Sequence, residues 1–519
     1  MHEKIMSTQT SDNNKRIAKN TLLLYFRMLF MMGISLYTSR VVLKALGVED
    51  FGIYNVVGGF VTMFTYITGS MSTATQRFIT FALGKKDYTG LKRVFSMAVS
   101  IHIGMAILLF IVGEVAGLWL LYNKMVIPDS RMDAAFWVLQ CSLLSTMVMV
   151  ISIPYNALIV SHEKMSAFAY ISILEVVLKL LLVVALLFLP GDKLILYAIF
   201  LLGVQVLLRF VYSSYSRRHF EESKYERIWD KQLFKDISSF AGWSMFGCLA
   251  GAGQTQGLNI LLNIFFGPAV NAARGVAVQV QNAINGFARN FQMSVNPQIT
   301  KNYASGDIEY MNKLIYSSSK FSVYLLFMLS LPVMLESHKI LQLWLGVVPD
   351  HTVTFIRFIL LISMFEALAN PVICAVQATK KIKKYQIVAG SCLMLTLPVS
   401  YIFLKLGGQP EIVFVTHLCV AFLTQVFRIY LARELMYFPI LPYLKKVVFP
   451  ILEVCCLSFV TSLPFLYVMD EGFLRLTLTV TFSILLCGVF VIMCGLTSHE
   501  RSTIFAFIKR KFTDDRNNR

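Results

Sequence analysis

The chain has 519 residues, of which 56% are hydrophobic and only 15% charged, and its mean hydropathy is +0.65. A water-soluble domain of that length needs a far more charged surface, so the composition excludes one and describes an all-α polytopic membrane protein. The formal net charge of +18 sits in short segments between apolar runs, where positive-inside topology accounts for it better than nucleic-acid binding does.

The first twenty residues are polar and hold Lys4, Lys15, Arg16 and Lys19; no small-residue cleavage site follows, so this is not a cleavable signal. Apolar runs long enough to cross a bilayer then follow at 20–44, 51–82, 94–122, 134–160, 165–189, 192–215, 236–265, 268–302, 312–336, 352–378, 385–406, 411–434, 446–468 and 473–496. That gives about fourteen transmembrane helices, the first, second, seventh and eighth being the least hydrophobic. With alternating sides and a cytoplasmic N-terminus, 31 Lys and Arg fall on the inner side, 7 on the outer and 9 within spans. The bias places both termini in the cytoplasm and favours an even number of spans. No outer loop exceeds about 20 residues, which leaves no room for an external catalytic domain.

The charged stretch SRRHFEESKYERIWDKQLFK at 216–235 divides the chain. Residues 1–215 form an N-lobe of six helices, 216–235 a cytoplasmic linker, 236–440 a C-lobe of six helices, and 441–519 helices thirteen and fourteen with a basic cytoplasmic tail. TQRFITFALGKKD in the second span matches NPQITKNYASGD in the eighth: Gln76 precedes Gln298 by the same interval that separates Gly84 from Gly306. Pro154 and Pro371, in the two fourth helices, stand at nearly that interval too. Six helices per copy is an even number, so the copies enter the membrane with the same orientation: a parallel repeat about the membrane normal, with a cavity between lobes.

The eighth span is the most unusual. Asn271, Arg274, Asn282, Asn285, Arg289, Gln292 and Asn296 step along it at helical spacing as a polar stripe. An amide ladder alone reads as hydrogen-bonded glue between helices, worth about 0.6 kcal/mol per contact. Arg289 near mid-helix resists that reading, because a guanidinium there costs roughly 2.5–3.5 kcal/mol unless it faces protein or water. The seventh span adds Gln256, Asn259 and Asn263, and the second a weaker face of Thr62, Tyr66, Ser70, Thr73 and Arg77. Arg27, Arg40 and Arg77 lie near helix ends, where snorkelling is the alternative; Lys320 and Arg209 read as snorkelling.

Away from the terminal residues of the spans, four acidic residues fall within them: Glu114, Glu175, Glu366 and Glu453. Glu175 and Lys179 are spaced to neutralise one another. Glu366 and Glu114 are candidates for ion coupling, with H+ or Na+ left open; a structural pairing of Glu366 with Arg357 is the competing reading. The surplus of Arg and amides suits an anionic, polyhydroxylated solute, guanidinium taking phosphate oxygens and amides taking sugar hydroxyls. A hydrophobic-cation exporter would want carboxylates and aromatics instead. No P-loop, GxSxG, HExxH or CxxC occurs, the histidines form no cluster, and the nine cysteines read as packing residues, so neither enzyme, cofactor nor metal is expected.

NTLLLYFRMLFMMGISLYTSRVVLKALGVEDFGIYNVVGGF followed by STATQRFITFALGKKD, together with PYNALIVSHEK and the Asn/Gln/Arg-rich eighth helix, resembles the Wzx-type polysaccharide flippases. These serve lipopolysaccharide and O-antigen biosynthesis and share a superfamily with the MATE exporters and the MurJ flippase. The resemblance implies two six-helix lobes in a V, alternately open to each face of the bacterial inner membrane. Its implied substrate is an undecaprenyl-diphosphate-linked oligosaccharide moved from the cytoplasmic to the periplasmic leaflet. Helices thirteen and fourteen stand where MurJ-like members form a groove for the lipid tail, and other polysaccharide-assembly proteins are implied partners. The expected substrate-binding set is Arg27, Arg40, Arg77, Asn259, Asn263, Arg274, Asn282, Asn285, Arg289 and Gln292. The alternative is a MATE-like cation-coupled exporter of small molecules; a membrane glycosyltransferase or polymerase would need a catalytic loop that this chain lacks.

Overall fold

The computed structural model describes residues 2–123, 125, 127–346, 348–498 and 500–502, with side chains from Arg16 onward except at 36, 39, 40, 43, 48, 62 and 268. Every regular element among them is helical. In chain order they are α1 (His2–Thr62), α2 (Thr65–Gly84), α3 (Tyr88–Asn123), α4 (Met132–Ser161), α5 (Met165–Phe188), α6 (Lys193–His219), α7 (Lys231–Phe266) and α8 (Pro268–Ser305). Then come α9 (Ile308–Leu335), α10 (Ser337–Leu345), α11 (Thr352–Ala378), α12 (Ile382–Met394), α13 (Thr396–Lys405), α14 (Ile412–Met436), α15 (Ile440–Tyr443), α16 (Phe449–Ser462), α17 (Pro464–Val468) and α18 (Phe473–Phe490). Single π-helical turns at Leu444–Val448 and Val491–Gly495 extend α15 into α16 and finish α18.

By length and composition, 11 helices are able to cross a membrane, or 12 if Glu49–Val61 and Thr65–Gly84, bent by 47°, count as one span. Fourteen is therefore not what apolarity alone returns. The two expected spans that fall short are α7 and α8, which run for 36 and 38 residues but carry the amides and arginines of the polar stripes. Length suits them to a membrane; composition suits them to polar surroundings.

Left-handed backbone positions punctuate the chain at a regular interval. Gly47 and Gly267 (φ 80 and 78) are separated by the same stretch of chain as Lys86 and Gly306 (φ 55 and 83). Glu163 and Lys380 (φ 59 and 66), and Gly191 and Gly407 (φ 107 and 89), repeat that separation to within a few residues. Gly47 breaks α1 in two, and Gly267 separates α7 from α8, so each pair ends corresponding helices. A duplicated six-helix unit would leave this trace. It also separates two glycines that the sequence equates. Gly306 is a left-handed cap, whereas Gly84 lies inside α2, where a Cβ would come within 2.6 Å of the Lys301 carbonyl oxygen.

The chain forms two compact units: 1–249 with 293–307, and 250–292 with 308–519. The 216–235 stretch lies wholly in the first, and α7 and α8 each contribute to both. In the first unit, one apolar core gathers Val57, Ala106, Val138, Leu139 and Leu194 from α1, α3, α4 and α6. One end is tied by Arg131, whose guanidinium clamps Asp50 (2.8 and 2.7 Å) and reaches Asp192 at 2.6 Å. Asp192 also caps α6, accepting from the Leu194 and Ile195 amides. In the 216–235 stretch Glu222 accepts from His162 at 2.6 Å, and the imidazole stacks on Phe220. Burial alone would raise the Glu222 carboxyl, but the His162 hydrogen bond and charge together with a backbone amide outweigh it and hold the group below its ordinary value. In the second unit, Arg475 pairs in bidentate fashion with buried Glu336 at 2.9 and 3.0 Å.

Lys320 does not snorkel. It is 1% exposed, donates to Glu500 at 2.7 Å and to the Gly495 carbonyl at 3.3 Å, and so ties α9 to the end of α18. Arg209 lies over the Tyr155 ring, 4.2 Å from its centroid. Glu175 and Lys179 do pair, at 2.6 Å.

Candidate functional site

The polar stripe of α8 is concentrated in the second unit and splits by angle. At about 100° per residue, Arg274, Gln281, Asn285 and Gln292 fall within some 40° of one another, while Asn271, Asn282 and Arg289 lie roughly 60–80° from Arg274. The first group turns into protein, and all but half-buried Gln281 are fully buried; of the second, Asn282 and Arg289 are exposed and Asn271 is half-buried. One stripe therefore serves two environments, an inward ladder and an accessible edge.

The ladder is well partnered. Arg274, 6% exposed, donates to Asn259 of α7 and to the Thr255 carbonyl, the latter at 3.2 Å; Asn259 in turn donates to Gln256. Gln281 and Asn285 both donate to the Ser363 hydroxyl of α11, at 2.8 and 3.2 Å. Gln292 donates to Ser322 of α9 and to the Ala367 carbonyl, and accepts from Asn370 at 2.7 Å. These bonds position α8 against α7, α9 and α11. Asn263 is exposed.

At the accessible edge, charge faces charge. Glu366 of α11 is exposed, as is Arg289, and Arg289 and Arg428 of α14 both act on Glu366 electrostatically. Arg428 also acts electrostatically on Tyr385 of α12, and Arg274 on His417 of α14. Pairing of Glu366 with Arg357 is ruled out by the geometry: Arg357 donates instead to the Met334 carbonyl at 3.0 Å, more than two turns along the helix from Glu366. Arg428 lies inside α14. Exposed Arg289, half-buried Arg428 and exposed Glu366 thus influence one another beside a buried amide lattice. The set can hold an anion against Arg289 and Arg428, or exchange that anion for the Glu366 carboxylate.

The N-terminal arginines are engaged differently. Arg77 is 5% exposed and lies 4.6 Å from the ring centroids of both Phe78 and Phe81, with Phe240 at 5.7 Å. That aromatic cage, and not a helix end at the interface, receives its charge. Arg27 donates to Ser172 at 3.3 Å and stacks on Phe168 of α5 at 4.6 Å. Arg40 lies outside the residues whose side chains are described, as does Thr62. Two hydroxyls of that second stripe satisfy their own helix, Ser70 bonding the Ile67 carbonyl and Thr73 that of Gly69, while Tyr66 is exposed. Glu114 accepts from Gln140 at 2.8 Å.

Ser363, Asn370, Arg428, Tyr385 and His417 are absent from the sequence-derived set. A signal for two of them was present: Ser363, Glu366 and Asn370 recur at helical spacing on α11. Among the described residues no group of three or more His, Cys, Asp or Glu could hold a metal ion, and all nine cysteines are free.

The polar residues of this long all-helical membrane chain are gathered on its most hydrophilic helices, α7 and α8. Its fold is shared: a MATE in its bent conformation matches with a TM-score of 0.71 at 13% identity, over 82% of this chain and 97% of that one. An outward-facing multidrug resistance MATE family transporter of the MOP superfamily matches at 0.68 and 14% (81% and 95%). A MOP superfamily transporter from Pyrococcus furiosus, described as having a binding pocket of reverse polarity, matches at 0.63 and 14% (80% and 95%). No curated protein matches the sequence. The family described as polysaccharide biosynthesis protein matches residues 17–303. The chain belongs to that family and is a multi-pass membrane protein.

Proposed function

We propose that the protein carries an undecaprenyl-diphosphate-linked oligosaccharide from the cytoplasmic to the periplasmic leaflet of a bacterial inner membrane, by alternating access, for lipopolysaccharide or O-antigen assembly. The observation that carries this reading is the α8 edge, where exposed Arg289 stands with Arg428 beside a lattice of amides and hydroxyls. Guanidiniums bind diphosphate by paired hydrogen bonds, and an amide edge at Asn282 and Asn263 offers both donors and acceptors to sugar hydroxyls. Arg274 positions α7 against α8 and adds positive potential from behind. The polyprenyl chain stays in lipid. Both termini lie in the cytoplasm on this reading, by the Lys and Arg bias of the loops.

Arg289→Ala is expected to abolish surface glycan while the protein inserts at wild-type levels. Normal glycan in that variant would remove Arg289 from the mechanism. One observation favours the MATE-like reading: accessible Glu366 is a carboxylate of the kind a coupled cation or proton would use. Resistance to cationic drugs in an expressing strain, lost in Glu366→Gln with surface glycan unchanged, would select that reading.

A further inference from the structure

The corner between α4 and α5, within the HEK of PYNALIVSHEK, holds an acidic hub that the transport reading does not use. Glu163 is 4% exposed and adopts left-handed backbone at φ 59. Its carboxylate accepts from Lys301 at 2.6 Å and Gln298 at 2.5 Å and forms an ion pair with Arg16 at 3.0 Å, and its carbonyl accepts from Asn20 at 3.3 Å. One residue therefore joins the N-terminal part of α1, the end of α4 and the last turns of α8.

Its surroundings tighten the same junction. Thr21 and Ser294 share a hydrogen bond of 2.8 Å, and Met293 packs on the Leu24, Val160 and Met165 cluster. Gly84 lets the Lys301 backbone approach α2 more closely than any other residue would. The junction starts where α8 passes from the second unit to the first, between Gln292 and Met293. Pro297 follows within α8 and lacks the amide that would bond the Met293 carbonyl, so the helix is weakest there.

A buried carboxylate surrounded by two cations and an amide, at a weak point of a helix shared by two units, has the parts of a releasable clasp. We propose that Glu163 latches the 293–307 end of α8 to α1 and α4 within the first unit, and that the transport cycle requires this end to undock. The latch rests on the transporter fold and is independent of the substrate proposed above. Two cations against one carboxylate also make it asymmetric: losing Lys301 leaves Arg16 as a partner, whereas losing the Glu163 charge leaves two cations facing each other.

The test uses the full-length protein in native membranes. Ser294 is completely buried, so Ser294→Cys should react slowly with a maleimide, measured over the wild-type background of native cysteines. Adding Glu163→Gln should raise that rate about tenfold or more, Lys301→Gln by less, and Glu163→Asp, which keeps the charge, should preserve most of the protection. Separately, a strain dependent on the Thr21→Cys/Ser294→Cys protein should lose its surface phenotype when diamide forms the disulfide and regain it with dithiothreitol. The single-cysteine proteins should be indifferent. Equal protection of Ser294→Cys with and without the Glu163→Gln change, at equal protein levels, would overturn the latch. So would a cross-linked pair that still functions, and that arm decides if Glu163→Gln fails to accumulate.

Discussion

Arg274 and Arg289 sit on one helix and should fail in different ways. Arg274 is buried and makes two hydrogen bonds, to Asn259 and to the Thr255 carbonyl, within the second unit. A hydrogen bond to a charged group contributes roughly 1.5–3 kcal/mol, so the two bonds are worth about 3–6 kcal/mol before desolvation is subtracted. Arg274→Ala relieves the desolvation of the guanidinium but strands the Asn259 oxygen and one carbonyl, for a net loss of about 2–3 kcal/mol. Arg289 is exposed, and its truncation should shift stability by no more than about 0.5 kcal/mol. Thermal unfolding of the purified proteins in one detergent, read beside a surface-glycan assay, separates the two. Arg274→Ala should unfold several degrees lower and transport poorly; Arg289→Ala should unfold with wild type and transport nothing. If Arg289→Ala is as unstable as Arg274→Ala, the accessible edge is structural and the assignment of roles along α8 is wrong.

Two further outcomes follow from ion pairs away from that edge. Lys320→Met strips Glu500 of its buried partner; Glu500 keeps some solvent and the Thr497 contacts, so the cost falls to about 2–3 kcal/mol, visible as earlier unfolding and as faster proteolysis after residue 495. For Asp192, burial would raise its carboxyl, but Arg131 and the α6 amides outweigh burial and lower it. A lowered carboxylate stabilises the fold above its unfolded value of about 3.9, and the contribution disappears as pH falls through the lower folded value. Asp192→Asn keeps a capping oxygen, so it should be less stable than wild type by about 0.5–1 kcal/mol at neutral pH. The difference should close below about pH 4 in thermal scans, and a gap that persists there would place the effect elsewhere.

Most of the fold was legible because a bilayer enforces one rule, some twenty apolar residues per crossing, and loop charge adds a second. The rule weakens where polar residues are wanted, which is why α7 and α8 fall below the apolar threshold while eleven other helices pass. The site was legible along α8 and little beyond it. Periodicity places Arg274, Asn285 and Gln292 on one face, but it cannot distinguish a ladder just inside the protein boundary from an edge a fraction of a turn round the helix. Ser363, Tyr385 and Arg428 reach the site through tertiary packing of apolar helices, and a lone polar residue on such a helix carries no period. Single charges misled most. Lys320 reads as snorkelling in sequence and Arg77 as either a cavity residue or a snorkelling one, yet a carboxylate far along the chain holds the first and a ring from α7 helps to enclose the second.

The paired left-handed corners differ in the strain they hold. At 47 and 267 the residue is glycine, which adopts that region of backbone at no steric cost. At 163 and 380 the backbone is again alike, but one corner carries a carboxylate and the other an ammonium, each at a conformation that disfavours a side chain by about 1–2 kcal/mol. At Glu163 that strain is set against ion pairs with Lys301 and Arg16, so a corner that glycine would make freely is kept for the charge it carries.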